Sequence, residues 1–157
     1  MATGQIVIAA VGKLRHREWR SMQNDYLKRL RRYTGINLVE VKDSVGKGFP
    51  DQVAMTREGE QLLQATSDVQ RRVLLTPNGQ EMSSEAFAEF IQKQIETFGR
   101  IGFLVGGPLG FSEEVIFGAD TALALSQLTF PHELARIILL EQLYRAFTIL
   151  RGESYHK

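Results

Sequence analysis

The chain has 157 residues, 43% of them apolar, which is the size of one ordinary domain with enough apolar side chain for a single buried core. It contains no cysteine, so disulfides, thiolate nucleophiles and thiolate-held zinc or iron–sulfur centres are excluded. Net charge is only +1, yet residues 13–32 hold eight basic side chains against two acidic ones, so the remainder of the chain is net acidic.

In chain order, the first element is a strand. "QIVIAAVGK" at 5–13 and "INLVEV" at 36–41 are rich in β-branched residues, and "RVLLT" at 72–76 and "IGFLVGG" at 101–107 are short apolar runs closed by turn residues. Helical stretches fall at 16–33, 50–66 and 83–98, with Ser83 or Ser84 as the N-cap of "EAFAEFIQKQI". Strand and helix alternate three times, the signature of a mostly parallel sheet flanked by helices, so the expected class is α/β. Beyond Gly107 the pattern loosens. "PLGFSEEVIFGAD" accommodates one short helix starting near Ser112, "TALALSQL" reads as a last strand, and Pro131 suits the first position of a final helix. No linker, repeat or low-complexity tract divides the chain, so one domain is expected over 1–157, with residues 1–4 a short extension of no evident role. The apolar run at 6–11 is too short for a signal segment, and Glu141 and Arg145 interrupt the longest apolar helix. The chain therefore reads as cytoplasmic, with no membrane span.

The basic segment contributes Lys13, Arg15, Arg17, Arg20, Lys28, Arg29, Arg31 and Arg32. Such a concentration is the footprint of a phosphate-binding surface, and it is also what a solvated helix face looks like. In a parallel sheet, ligands sit beyond the carboxyl ends of the strands. Three loops leave such ends: "TPNG", "GGPLGFSEE" and "SQLTFPH". Gly106, Gly107 and Gly110 follow GGxxG rather than GxGxxG spacing, and the acidic residue expected about 20 positions later is missing, which disfavours a dinucleotide-dependent dehydrogenase. There is no Walker lysine. Adjacent glycines permit close backbone approach to a ligand, or simply form a tight turn. "HELAR" begins like the zinc motif HExxH, but Arg136 stands where the second histidine would be, so no metal is expected.

The final helix is apolar around nearly its whole circumference, more than one core-facing stripe requires. One face is expected on the sheet and another on a second subunit. Glu141 and Arg145 form an i,i+4 pair in the favourable order, and His132 and Arg136 share another face near the helix start. Arg145 either only neutralises Glu141 or points into a pocket at the subunit boundary. The closing "RGESYHK" suits a frayed end, or a group in which Tyr155 and His156 stack on a base and relay a proton.

Three segments, "FLVGGPLGFSEEV", "LALSQLTFPHELARIILLEQLYRAF" and "RGESYHK", resemble the RlmH family, the SPOUT-class 23S rRNA pseudouridine N3-methyltransferases. "AAVGKLR" and the "REGEQLL" stretch at 57–63 are similar to the same family. The resemblance implies a SPOUT fold with a C-terminal deep trefoil knot over approximately 101–157. It implies S-adenosylmethionine held by Leu75 and Thr76, by Gly106 and Gly107, and by Ser126, Gln127, Leu128, Thr129, Phe130 and Pro131. It further implies a homodimer in which the tail of one subunit completes the site of the other, with Arg145, Tyr155 and His156 catalytic and no metal required. Arg15, Arg17, Arg20, Lys28, Arg29, Arg31 and Arg32 would then grip 23S rRNA in the large subunit or the assembled ribosome. Two positions depart from the family pattern: Thr76 stands where aspartate is common, and Ser154 where proline is common, which predicts a looser tail. The competing readings are a non-catalytic RNA- or ribosome-binding factor, a tRNA-directed methyltransferase of the same class, and a nucleotide-dependent oxidoreductase. Binding of S-adenosylmethionine or of NAD(H) separates them.

Overall fold

A computed structural model describes residues 5–157, so the extension at 1–4 lies outside the described residues. Five strands alternate with five helices: β1 (Gln5–Val11), α1 (Arg17–Leu30), β2 (Gly35–Val41), α2 (Asp51–Ala65), β3 (Arg71–Glu81), α3 (Ser84–Phe98), β4 (Ile101–Val105), α4 (Glu113–Phe117), β5 (Thr121–Ala124) and α5 (His132–Leu150). The strands are all parallel in the order β2-β1-β4-β3-β5, so the expected α/β class holds. Because side chains alternate along a strand, each strand feeds two cores. Ile6, Ile8 and Phe103 face α1, α3 and α5, meeting Leu30, Ile91, Leu140 and Leu143, while Ala9 and Leu104 face Leu62 of α2 and Val115 of α4.

The element ends differ from the sequence reading for local reasons. β1 stops before Gly12, whose φ of 81° turns the chain away from extended geometry. β3 runs on to Glu81 instead of ending at Thr76: Leu75 and Gln80 both register against Leu123, so residues 76–79 bulge out and the strand resumes behind them. Gly79 makes this possible, since a Cβ there would lie 2.6 Å from the Leu123 backbone. β5 is shorter than the expected strand because the chain leaves the sheet after Ala124. Pro131 is the N-cap of α5 and not its first helical residue, with ψ at 140°. Ser83 and Ser112 cap α3 and α4, accepting from the amides of Ala86 and Val115.

α5 lies between α1 and α3 across β4, and none of its residues from His132 to Leu150 is exposed. Much of its apolar circumference is thus covered within one chain, while Leu134, Ile138, Tyr144, Phe147 and Leu150 remain half-buried. Arg136 is the polar pin of this arrangement. It is 1% exposed, donates to the carbonyls of Val11 (3.3 Å) and Gly12 (2.8 Å), and meets Glu40 at 2.6 Å. Burial pushes its guanidinium pKa down, while Glu40 opposes that shift. Among the described residues, no helix is long and apolar enough to cross a membrane.

Candidate active site

The carboxyl ends of β3, β4 and β5 open into a cleft of about 860 Å3. Its walls are the three loops singled out above. Leu75 and Thr76 line it from the first, Gly106 and Gly107 from the second, and Ser126, Leu128, Thr129, Phe130 and Pro131 from the third. Gln127, expected among them, does not line the cleft; its side chain turns away and donates to Glu81 at 2.9 Å, clipping the third loop to the end of β3. Hydroxyls shape the walls locally. Thr76 Oγ1 accepts from the Asn78 amide at 3.4 Å and Ser126 Oγ accepts from the Leu128 amide at 3.0 Å, the side-chain turns that Ser and Thr favour. Thr76, at the aspartate position, therefore serves its own loop. Side chains would crowd the middle wall: a Cβ at Gly106 would stand 3.3 Å from both the Gly110 carbonyl oxygen and the Phe111 ring.

Asn78, Leu109, Phe111 and His132, all within the three loops, line the cleft too, and beyond those loops sequence reasoning missed Ile116, Ala122 and Ala135. Among the described residues, no Asp, Glu, Lys or Arg lines the cleft. His132 separates from Arg136 here: the first faces the cleft, the second is buried against β1. Mostly apolar walls with backbone amides and hydroxyls suit a ligand held by shape and by main-chain hydrogen bonds.

Arg145, Tyr155 and His156 come together elsewhere. After α5, Gly152 turns the chain back with φ at 67°, and the Glu153 amide donates to the Thr148 carbonyl at 2.9 Å. The tail then folds along its own helix. Arg145 donates to Glu141 at 2.7 Å and approaches His156 Nδ1 at 3.0 Å, Tyr155 OH donates to Glu141 at 2.9 Å, and His156 Nε2 meets Glu85 at 2.8 Å. The Arg145 guanidinium stands 5.0 Å from the Tyr155 ring centroid, and Tyr144 packs edge-on against that ring at 4.7 Å. Tyr33 OH also donates to Glu153 at 2.8 Å, so the Ser154 departure does not leave the tail unattached.

These contacts assign protonation states. Arginine only donates, so Nδ1 of His156 is the acceptor and Nε2 carries the hydrogen given to Glu85. The hydrogen bond with Glu141 raises the Arg145 pKa and keeps the guanidinium charged. Burial first, and the Glu141 hydrogen bond second, raise the Tyr155 pKa, so its phenol is a donor and not a base. The sequence marked Glu141 as a partner of Arg145 but gave no signal for Glu85, which approaches from α3.

The two assemblies are far apart within one chain. His132 and Arg145 are thirteen positions apart on α5, or about 20 Å of helix rise. As folded, the tail lies along the C-terminal half of α5, tied to Glu141 and Glu85, and none of Arg145, Tyr155 and His156 lines the cleft.

The seven expected RNA-contacting residues sit on or beside α1. Lys28, Arg29 and Arg32 gather with Asp25 and Tyr144 around a surface notch of about 310 Å3. Arg15, Arg17 and Arg20 are at the other end of the helix, where Arg20 donates to the Leu14 and Arg15 carbonyls at 2.9 and 3.2 Å. Arg31 lies just past the end of α1 and is exposed.

A parallel sheet of this order, with a glycine-walled cleft at its carboxyl edge, has the fold of methylase proteins: solved structures of a probable methylase family protein from Haemophilus influenzae (TM-score 0.56, 16% identity, all of this chain and 72% of that one) and of a putative methylase family protein from Neisseria gonorrhoeae (TM-score 0.52, 9% identity, 99% of this chain and 87% of that one) are similar to it. The chain belongs to the SPOUT methyltransferase family, whose model, described as "Predicted SPOUT methyltransferase", matches residues 5–156. Among its relatives are proteins named Ribosomal RNA large subunit methyltransferase H from Clostridium kluyveri (39% identity, 97% of this chain and 99% of the relative) and Carboxydothermus hydrogenoformans (39% identity, 98% of this chain and 99% of the relative).

Proposed function

We propose that this protein transfers a methyl group from S-adenosylmethionine to N3 of a pseudouridine in 23S rRNA, acting as a homodimer on the large subunit or the assembled ribosome in the cytoplasm. The observation that carries the reading is the separation of an apolar cleft from a charged tail that is folded along its own helix and held away from that cleft by Glu141 and Glu85. A second chain, related by two-fold symmetry, supplies the missing tail to each cleft. The relatives named as large-subunit rRNA methyltransferases support the substrate class.

The donor fits the cleft on its own chemistry. Gly106 and Gly107 leave room for close backbone contact, and the apolar walls suit an adenine ring. Bound S-adenosylmethionine supplies an electrophilic methyl carbon on a positively charged sulfur. The rest is done by the chain. The imide N3–H must lose its proton as the new N–C bond forms, and His156 accepts it at Nδ1 once the target base displaces Arg145 from that nitrogen. Glu85, on the opposite ring nitrogen, orients the imidazole and stabilises its protonated form. Arg145, held cationic by Glu141, stabilises negative charge on the neighbouring carbonyl oxygens, and Tyr155 stacks on or hydrogen-bonds the base.

The notch of Lys28, Arg29 and Arg32 adjoins this tail through Tyr144, which packs on Tyr155, and it is suited to a backbone phosphate near the target nucleotide. The return of α5 from edge strand β5 to the α1 and α3 face supports reading 101–157 as the knotted segment.

The test is calorimetric titration with S-adenosylmethionine, with NADH as control, followed by transfer of labelled methyl to ribosomes lacking the modification. Saturable donor binding with NADH silent, and label in 23S rRNA, are expected. A folded protein that binds ribosomes but not the donor, with or without ribosomes present, would make it an RNA-binding factor, and label in tRNA alone would move the substrate.

A further inference from the structure

The "REGEQLL" stretch places Glu58 on α2, on the face of the sheet opposite α5. Its side chain is 2% exposed. One carboxylate oxygen, Oε2, accepts the amides of Ser44 at 2.8 Å and Val45 at 3.3 Å, fixing the chain after β2. The other, Oε1, is buried without a hydrogen-bond partner, and Glu58 has no ion pair among the described residues. An orphaned carboxylate oxygen is a burden on folding, and such groups tend to be kept where they do something. Its position shows what that is. A Cβ on Gly107 would lie 3.2 Å from Oε1 and equally close to Val11 Cγ1, so the oxygen sits behind the glycine wall beside the Val11 side chain. Among the described residues the cleft lining has no Asp, Glu, Lys or Arg, and Glu58 brings negative charge close behind its Gly107 wall.

We infer that Glu58 selects the charge of the ligand in the cleft, favouring a cationic sulfonium over an uncharged thioether. The inference rests on the S-adenosylmethionine reading. Methyl transfer breaks the sulfur–carbon bond and leaves its electron pair on sulfur, so the ligand loses its positive charge when the product forms. A carboxylate behind the wall therefore holds the donor and loosens its grip on S-adenosylhomocysteine.

The experiment is calorimetric titration of wild type and Glu58→Gln with both S-adenosylmethionine and S-adenosylhomocysteine. Gln keeps the shape and an acceptor for the Ser44 and Val45 amides but removes the charge. The sulfonium affinity is expected to fall about ten-fold, the size of one charge interaction across roughly 12 Å at an effective dielectric of about 20, with the thioether affinity unchanged. Glu58→Asp, which keeps the charge and withdraws it from Gly107, should fall between, and it serves if the Gln variant does not fold. Equal weakening of both ligands would reduce Glu58 to a structural staple and overturn the inference, as would an unchanged ratio. Wild type that binds neither ligand would remove the cofactor reading itself, a separate and recognisable failure.

Discussion

The cleft and the tail cluster are built by opposite means. The cleft is walled by loop backbone, glycine and apolar side chains, without a charged residue in its lining, whereas the tail gathers Arg145, Glu141, Glu85, His156 and Tyr155 within hydrogen-bond reach of one another. Holding a donor needs shape and exclusion of water; moving a proton needs charges set against each other at short range. Under the proposed function each need is met in a different place, and α5 joins the two, with His132 at one end and Arg145 towards the other. Changes in one region should therefore leave the other's signature intact.

The largest effect is expected from His156→Ala, which should lower single-turnover methyl transfer by about 10^3-fold with S-adenosylmethionine affinity unchanged; an unaltered rate across pH would remove His156 as the base. Next is Arg136→Ala, which strips donors from two carbonyls, leaves Glu40 unpaired and loosens α5 under both regions. It should lose about 3 kcal/mol in urea unfolding, the low end for a broken buried pair because Glu40 is partly solvated. Gly106→Val would fill the middle wall and is expected to weaken donor affinity about 50-fold while leaving the tail contacts and ribosome binding in place, measured by calorimetry and filter binding.

The smallest effect concerns pH. Burial, with help from Glu153, pushes the Tyr33 pKa up to about 12 from 10.0. The neutral phenol is the form the fold favours, so its contribution is complete below about pH 10 and is lost as pH rises from there to about 12, where the unfolded chain ionises first. Tyr33→Phe should narrow the stability difference between pH 9 and pH 11.5 relative to wild type. An unchanged difference would show that the Tyr33–Glu153 contact does not secure the tail.

Much of this was legible in the sequence, and the failures share a cause. Alternating strand and helix patterns gave the class, and Ser83 and Ser112 marked real helix starts because an N-cap is a local hydrogen bond. The three loops meet at one cleft, as expected, because all three leave the carboxyl ends of neighbouring strands. What escaped depends on contacts between distant segments. Gln127 turns to Glu81, β3 resumes at Gln80 because Gly79 lets Leu123 come close, Arg136 reaches the end of β1, and Glu85 meets His156 across 71 positions. No periodicity encodes those pairings. The apolar girth of α5 pointed to a second subunit; α1, α3 and the sheet cover much of it within one chain and leave Leu134, Ile138 and Phe147 half-buried. The case for a dimer rests more on the separation of cleft and tail.

That separation can be tested by mixing Gly106→Val subunits with His156→Ala subunits, after dissociation and reassociation, and assaying at a donor concentration too low to fill the weakened cleft, where each variant alone is nearly inactive. If cleft and tail come from different chains, each mixed dimer regains one intact site, and an equimolar mixture of two nearly inactive proteins recovers about a quarter of the wild-type rate. No recovery from mixed dimers that have demonstrably formed would mean that each chain completes its own site, contradicting the account at its centre.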